Sequence, residues 1–287
     1  MTRQPKQRRS KRFDADAAVP SVAGHEQRVD VHCHCLPGLD DGPVRMTESL
    51  DLCQRLVADG INTVIATPHQ LGRYDGRNTP PQIRAAVAAL NQAVAEEGLS
   101  LRVSPGAEVR IDERIPGLLA ENEILTLADG GRYLLLELPY DAPISPVGLA
   151  QQLWSMGIMP ILAHPERCGY LCKSPASVLE WLDGPICLQL TAGSIVGAFG
   201  PAAQQACWYW LRRGAVALVA SDAHDDSGRR PYMSAALAAI SRYLGAGLAR
   251  QICVENPQRV LSGEAILPLI TAMHREMQAW PQTAHIA

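Results

Sequence analysis

Seven short apolar runs, spaced along the chain and separated by stretches with helical periodicity, limit the possible folds more than any other feature. They cover residues 29–34, 63–67, 101–109, 133–138, 159–163, 186–191 and 215–221. Runs of this length, bounded by Gly, Pro and polar residues, read as strands, and a β-α alternation repeated seven times predicts a parallel sheet covered by helices. Between the second and third runs, Ile83, Val87, Leu90 and Val94 recur at intervals of four, three and four, which gives one apolar helical face. Ser145-Pro146 is expected to open a further helix that ends at Gly157, and Asn256-Pro257 to open another. With 287 residues, 47% of them hydrophobic, the chain can fill one large core, and an α/β barrel of about 250 residues fits.

Such a sheet is either open and doubly wound or closed into a ring, and the polar residues discriminate. His32, His34 and Asp41 follow the first run, His69 the second, and Glu108 the third. Glu137 follows the fourth, His164 and Arg167 the fifth, and Asp222 and His224 the last. An open sheet offers only the crevice at its switch point, whereas a ring brings every strand end to one face. The predicted architecture is therefore a closed α/β barrel with its site at the C-terminal ends of the strands.

Two of these clusters are i, i+2 pairs, His32/His34 and Asp222/His224, and side chains two apart leave an extended strand on the same face. Five histidines and four carboxylates form the candidate ligand set: His32, His34, Asp41, His69, Glu108, Glu137, His164, Asp222 and His224. Nine groups exceed the needs of one ion. Imidazole and carboxylate without thiolate suit Mn²⁺, Fe²⁺ or Zn²⁺, and adjacent ions suit hydrolysis, because they acidify water and clamp the oxygens of an in-line displacement. Arg167, three residues after His164, can fork onto phosphate oxygens, and so can Arg229 or Arg230.

Charge and cysteine content narrow the class. Arg3, Lys6, Arg8, Arg9, Lys11 and Arg12 crowd the first 13 residues, leaving 20 bases against 29 acids elsewhere. Residues 1–27 are expected to form a disordered basic tail able to contact a membrane surface or an acidic partner, with 28–287 as the folded domain. The acidic body argues against stable nucleic-acid binding. No run reaches the roughly 18 apolar residues of a membrane span and no apolar h-region follows the N-terminal charges, so the expected location is cytoplasmic. Eight cysteines in a chain of this size are expected to be reduced thiols. The Cys-x5-Arg spacing of cysteine phosphatases occurs at Cys207/Arg213 and Cys253/Arg259, but neither loop has glycines to wrap an anion.

Taken in order, His32-Cys33-His34, Asp40-Asp41-Gly42, Thr67-Pro68-His69, Ala107-Glu108, Glu137-Leu138-Pro139, His164-Pro165-Glu166-Arg167 and Ser221-Asp222-Ala223-His224 resemble the PHP-domain (polymerase and histidinol phosphatase) family. More narrowly they resemble the bacterial manganese-dependent tyrosine phosphatases of capsule and exopolysaccharide clusters. The resemblance implies a distorted (β/α)7 PHP barrel with a multinuclear metal site, Mn²⁺ first among the candidate ions. It implies that His32, His34, Glu108 and Asp222 hold one ion, Glu108, Glu137 and His164 a second, and Asp41, His69 and His224 a third, with Arg167 and Arg229 on the substrate phosphate. The implied substrate is a tyrosine-phosphorylated autokinase. Asp-Asp-Gly at 40–42 and Glu137 in place of a histidine favour the tyrosine-phosphatase branch over a histidinol-phosphatase-like small-molecule phosphomonoesterase, which is the alternative.

Overall fold

The structure is a computed structural model that describes residues 27–267. The predicted tail thus lies outside the described residues except for Gln27, as do His25, His274 and His285.

All nine strands run parallel. They are β1 (Val29–Cys33), β2 (Thr63–Ala66), β3 (His69–Gln70), β4 (Arg102–Pro105), β5 (Glu108–Arg110), β6 (Tyr133–Glu137), β7 (Met159–Ala163), β8 (Cys187–Thr191) and β9 (Leu218–Ala220). One sheet has the order β1-β2-β4 and the other β3-β5-β6-β7-β8-β9. The two sheets share two passages of chain. β2 continues as β3 after Thr67-Pro68, and β4 continues as β5 after Gly106-Ala107.

The sequence pattern predicts seven unbroken strands; the structure breaks the one at 101–109 into β4 and β5 and adds β3 beyond the run at 63–67, each for an identifiable reason. Pro68 has no N–H to give to a ladder, although its carbonyl accepts from the Glu108 N–H at 3.2 Å. At Gly106 a Cβ would lie 2.7 Å from Ile65 Cγ2, so only glycine lets the chain pass β2 as it changes sheets. These breaks distort the barrel. Its seam is held by backbone bonds between the ends of β9 and β1: Asp222 N–H donates to the His32 carbonyl at 2.8 Å and His34 N–H to the Ala223 carbonyl at 2.9 Å.

Two apolar clusters sandwich the strands. Leu134, Leu136, Leu162, Leu188, Leu190 and Val219 face the helices, while Val29, Val31, Ile65, Leu135, Ile161 and Leu218 fill the barrel interior. Each fully buried Leu or Ile contributes about 1.5–3 kcal/mol by leaving water. The helix Pro80–Glu96 buries Ile83, Val87, Leu90 and Val94 as its periodicity predicts, and its Thr79 and Gln82 form a capping box. The helix after Ser145-Pro146 spans Val147–Ser155, with Gly157 at φ +80° just beyond it.

An α-helix does start at Asn256-Pro257, spanning Asn256–Leu261 with Pro257 in its first turn, but Asn256 is not a free cap. The preceding segment Gln251–Glu255 is already helical, with π geometry, and Asn256 is fully buried. Its amide donates to the Ala217 carbonyl at 2.9 Å, and its side-chain oxygen accepts from the Leu267 N–H at 2.9 Å. The residue ties the base of β9 to the last described segment instead of capping.

Candidate metal centre

The site begins with an irregularity in β1. Asp30 pairs with Val64 and Cys33 with Ala66, so β1 spends three steps where β2 spends two. This bulge changes which residues point inward. Val29 and Val31 belong to the interior cluster and Cys33 to the outer one, leaving His32 and His34 inward above the valines. Asp30, also buried, closes the seam instead: its carboxylate accepts from the Ser221 N–H at 3.0 Å and from the Ser221 hydroxyl. Burial pushes its pKa up to about 6, against the lowering effect of those bonds.

All nine predicted ligands converge. Their donor atoms fall into four sets, each within 4.8 Å: His34, Asp41, His69 and His224; His32, His164 and Asp222; His32, His34 and Glu108; His69, Glu108 and Glu137. His32, His34, His69 and Glu108 each belong to two sets, so the donors make one connected cluster. The His32 and His34 Nε2 atoms are 3.1 Å apart, and each lies 3.4 Å from Glu108 Oε2. Asp41 Oδ1 lies 3.3 Å from His69 Nε2 and 3.4 Å from His224 Nε2.

Glu108 is the centre of this arrangement and the test of whether a cation fits. It is fully buried, and neither carboxylate oxygen accepts a hydrogen bond. His164 Nε2 is 2.7 Å from Oε1, and His69 Nδ1 is 3.1 Å from Oε2. Such short approaches without hydrogen-bond geometry suit ligands that share a cation, and a buried carboxylate left without one is costly. His224 Nε2 is likewise buried and unpartnered. The donor set fits divalent metal.

Other groups aim the imidazoles. Asp40 Oδ2 lies 2.6 Å from His34 Nδ1, Gln189 Oε1 2.9 Å from His32 Nδ1, and the Asp222 carbonyl 3.0 Å from His224 Nδ1. Each oxygen fixes the proton on Nδ1 and leaves the Nε2 lone pair facing the cluster, as in metal sites generally. Two of the candidate ligands also occupy strained backbone, with His164 at φ +30° and Asp222 at φ +52°.

Electrostatics follow from crowding. Burial alone would raise the Glu108 carboxyl, but His32, His164 and His69 hold it well below its ordinary value. Burial opposes protonation of His164, yet Glu108 carries it up to about 9. His224 is pushed down to about 4, first by burial and then by His34, so its imidazole is neutral at pH 7.

Above the cluster opens a cleft of about 380 Å³ lined by Arg167 and Arg229 among others. Arg229 reaches both Asp222 oxygens, at 2.9 and 2.8 Å, and Arg167 reaches one at 3.3 Å. The Arg167 guanidinium also lies 3.8 Å over the Phe199 ring. Arg230 instead packs over Tyr232 at 4.7 Å. Sequence reasoning missed Asp40, Gln189 and Arg110, whose Nη1 lies 3.0 Å from Glu137 Oε2. Asp40 stood inside a quoted motif, but nothing in sequence says which of two adjacent aspartates turns toward His34.

Residues 28–262 match the family model described as "Capsular polysaccharide synthesis, CpsB/CapC". The chain belongs to the CpsB/CapC family. It is 32% identical to the tyrosine-protein phosphatase YwqE of Bacillus subtilis over 240 residues, covering 83% of this chain and 93% of YwqE. Identity to the tyrosine-protein phosphatase CpsB of Streptococcus pneumoniae is 29%, over 83% of this chain and all of CpsB. A crystal structure from work on YwqE and CpsB, described there as metal-dependent tyrosine phosphatases, superposes with a TM-score of 0.79 at 31% identity, covering 83% of this chain and 96% of that one. An organophosphorus hydrolase of Deinococcus radiodurans shares the fold alone, with a TM-score of 0.53 at 15% identity over 84% of this chain and 95% of that one.

Neither Cys-x5-Arg pair is assembled for cysteine chemistry. Cys207 is buried and its pKa is well above the ordinary value because of that burial, while burial pushes Cys253 up to about 12. Arg213 turns away to the Tyr209 carbonyl and Arg259 to the Ala265 carbonyl.

Proposed function

We propose that this chain is a metal-dependent protein-tyrosine phosphatase acting on a tyrosine-phosphorylated autokinase of polysaccharide synthesis, in the cytoplasm. The observation that carries the reading is Glu108, a buried carboxylate without a hydrogen-bond donor, ringed by imidazoles beneath a cleft that holds two guanidiniums. In this reading His32, His34, Asp41, His69, Glu108, Glu137, His164, Asp222 and His224 would hold the metal, with Mn²⁺ the preferred ion. Bound metal supplies Lewis acidity toward the phosphoryl oxygens and lowers the pKa of water.

The chain's own groups do the rest. Arg167, held over the Phe199 ring, and Arg229, braced on Asp222, present forked donors to the phosphoryl oxygens as negative charge builds on them. Asp40 and Gln189 keep His34 and His32 in the tautomer whose Nε2 faces the ions. The tyrosyl leaving group, with a pKa of about 10, departs with less proton assistance than an alkyl alcohol, so no dedicated acid is required.

The test is phosphate release from a phosphotyrosine peptide and from histidinol phosphate, each with added Mn²⁺ and with chelator. Phosphotyrosine turnover that needs Mn²⁺ and exceeds histidinol-phosphate turnover is expected. Turnover unaffected by chelation, or a preference for histidinol phosphate, contradicts the proposal.

A further inference from the structure

Two tyrosines in the cleft have no part in holding metal or phosphate, yet each is built into the site in the same way. Tyr74 stacks on the His69 ring, with centroids 5.4 Å apart and planes 11° apart. Tyr140 stacks on the His164 ring at 6.2 Å and 19°. Arg73 lies 4.9 Å over Tyr74 and Arg110 lies 5.7 Å over Tyr140. His69 belongs to β3 and His164 follows β7, with β5 and β6 between them in the sheet, so the two Arg-Tyr-His stacks stand over separate strand ends. Both tyrosines line the cleft that contains Glu108, Arg167 and Arg229.

The backbone is shaped to present Tyr74. Leu71, a residue with no ease in the left-handed region, sits at φ +64°, and Gly72 follows at φ +57°. The turn closes with the Tyr74 N–H on the Leu71 carbonyl at 3.0 Å, and a Cβ on Gly72 would meet Arg110 Cγ at 3.0 Å. The Tyr74 turn is thereby packed against the same arginine that covers Tyr140. Even with these neighbours Tyr140 is 45% exposed, so part of a large aromatic ring stays open at a polar mouth.

We propose that Tyr74 and Tyr140 are the walls of a slot for the phenyl ring of an aryl phosphate, and are the residues that set selectivity for phosphotyrosine over phosphoserine. This rests on the phosphatase reading above. With the phosphoryl group at Arg167 and Arg229, the ester's organic part must leave through the cleft that these rings line. A flat ring gains a stacking contact there that an alkyl chain does not. Each contact corresponds to several-fold to about tenfold in kcat/KM. The rings act on binding, so the effect falls mainly on KM.

The experiment compares kcat and KM for a phosphotyrosine peptide and its phosphoserine counterpart, in Mn²⁺, for the wild type, Tyr74→Leu, Tyr140→Leu, the double variant and the two Phe variants, with metal content measured for each. The double Leu variant is expected to lower the phosphotyrosine-to-phosphoserine ratio of kcat/KM by about 10- to 100-fold, while the Phe variants keep the ratio. Equal losses on both peptides would mean that the tyrosines only position the histidines, and would overturn the slot. So would an unchanged ratio, or a ratio lowered as far by Phe as by Leu. A wild type inactive on phosphotyrosine defeats the phosphatase reading itself, whereas a selective wild type with a selective double variant defeats only the slot.

Discussion

The barrel interior has two layers made by the same strands, and both are buried. The lower holds Val29, Val31, Ile65, Leu135, Ile161 and Leu218, and the upper holds His32, His34, Glu108, Glu137, His164 and Asp222. Along β6, Leu135 and Glu137 are only two residues apart. The lower layer is stable through burial alone, because apolar surface leaves water. The upper layer gains nothing from burial by itself, and its carboxylates and imidazoles are tolerable only when they compensate one another or a cation does so. Equal burial therefore means different things: the lower layer supports the fold, and the upper layer is the one that, on the function proposed above, supports the chemistry.

The sharpest way to break the comparison is one substitution in each layer. Glu108→Gln, nearly isosteric, is expected to lower phosphotyrosine turnover by roughly 10³-fold or more and to reduce bound metal while the protein stays folded, checked by kinetics, metal analysis and circular dichroism. Leu135→Ala should do the reverse, costing about 2–5 kcal/mol in denaturant unfolding with metal content retained. If Glu108→Gln kept its metal and rate, the upper layer would be structural. Asp40→Asn probes the next tier: it weakens the hold on His34, and metal affinity measured by competition with a chelating dye should fall about 10- to 100-fold.

The smallest effect is a slope with pH. In metal-free protein His164 titrates near 9, above its ordinary 6.5, so its stabilising effect is complete below about 6.5 and is lost as pH rises through about 9. Metal binding needs the imidazoles deprotonated, so its contribution runs the other way. The thermal midpoint of chelated protein should fall between pH 6.5 and 9, and added Mn²⁺ should remove or invert that fall. Parallel slopes with and without Mn²⁺ would separate His164 from the metal.

Much of this was legible in the sequence because the signals were periodic or paired. Strand positions followed from short apolar runs, and the polar residues at their ends forced a ring. The break at Gly106 was not legible, since the apolar pattern of residues 101–109 continues through the change of sheet and the obstacle, Ile65 on a neighbouring strand, is a tertiary fact; the run at 63–67 stopped before Pro68 and gave no sign of β3 beyond it. The β1 bulge was equally hidden, because His32 and His34 share a face with or without it. Asn256-Pro257 marked the start of the last described α-helix but not the π-helical turn that runs into it, because a free helix opening and a π-distorted interior present the same two residues. Gln189 meets His32 across 157 residues, and the nearer partners of Asp40 and Tyr74, His34 and His69, are met through loop turns, so none of these contacts leaves a periodicity to read.

The central claim is that the upper layer exists to hold metal for phosphoryl transfer. The most direct measurement strips the protein with chelator and titrates Mn²⁺ back while following phosphotyrosine-peptide turnover and bound metal together. The account predicts negligible turnover at first, then recovery as more than one ion binds per chain, with Glu108→Gln failing to recover. Full turnover in protein with no detectable metal would contradict it.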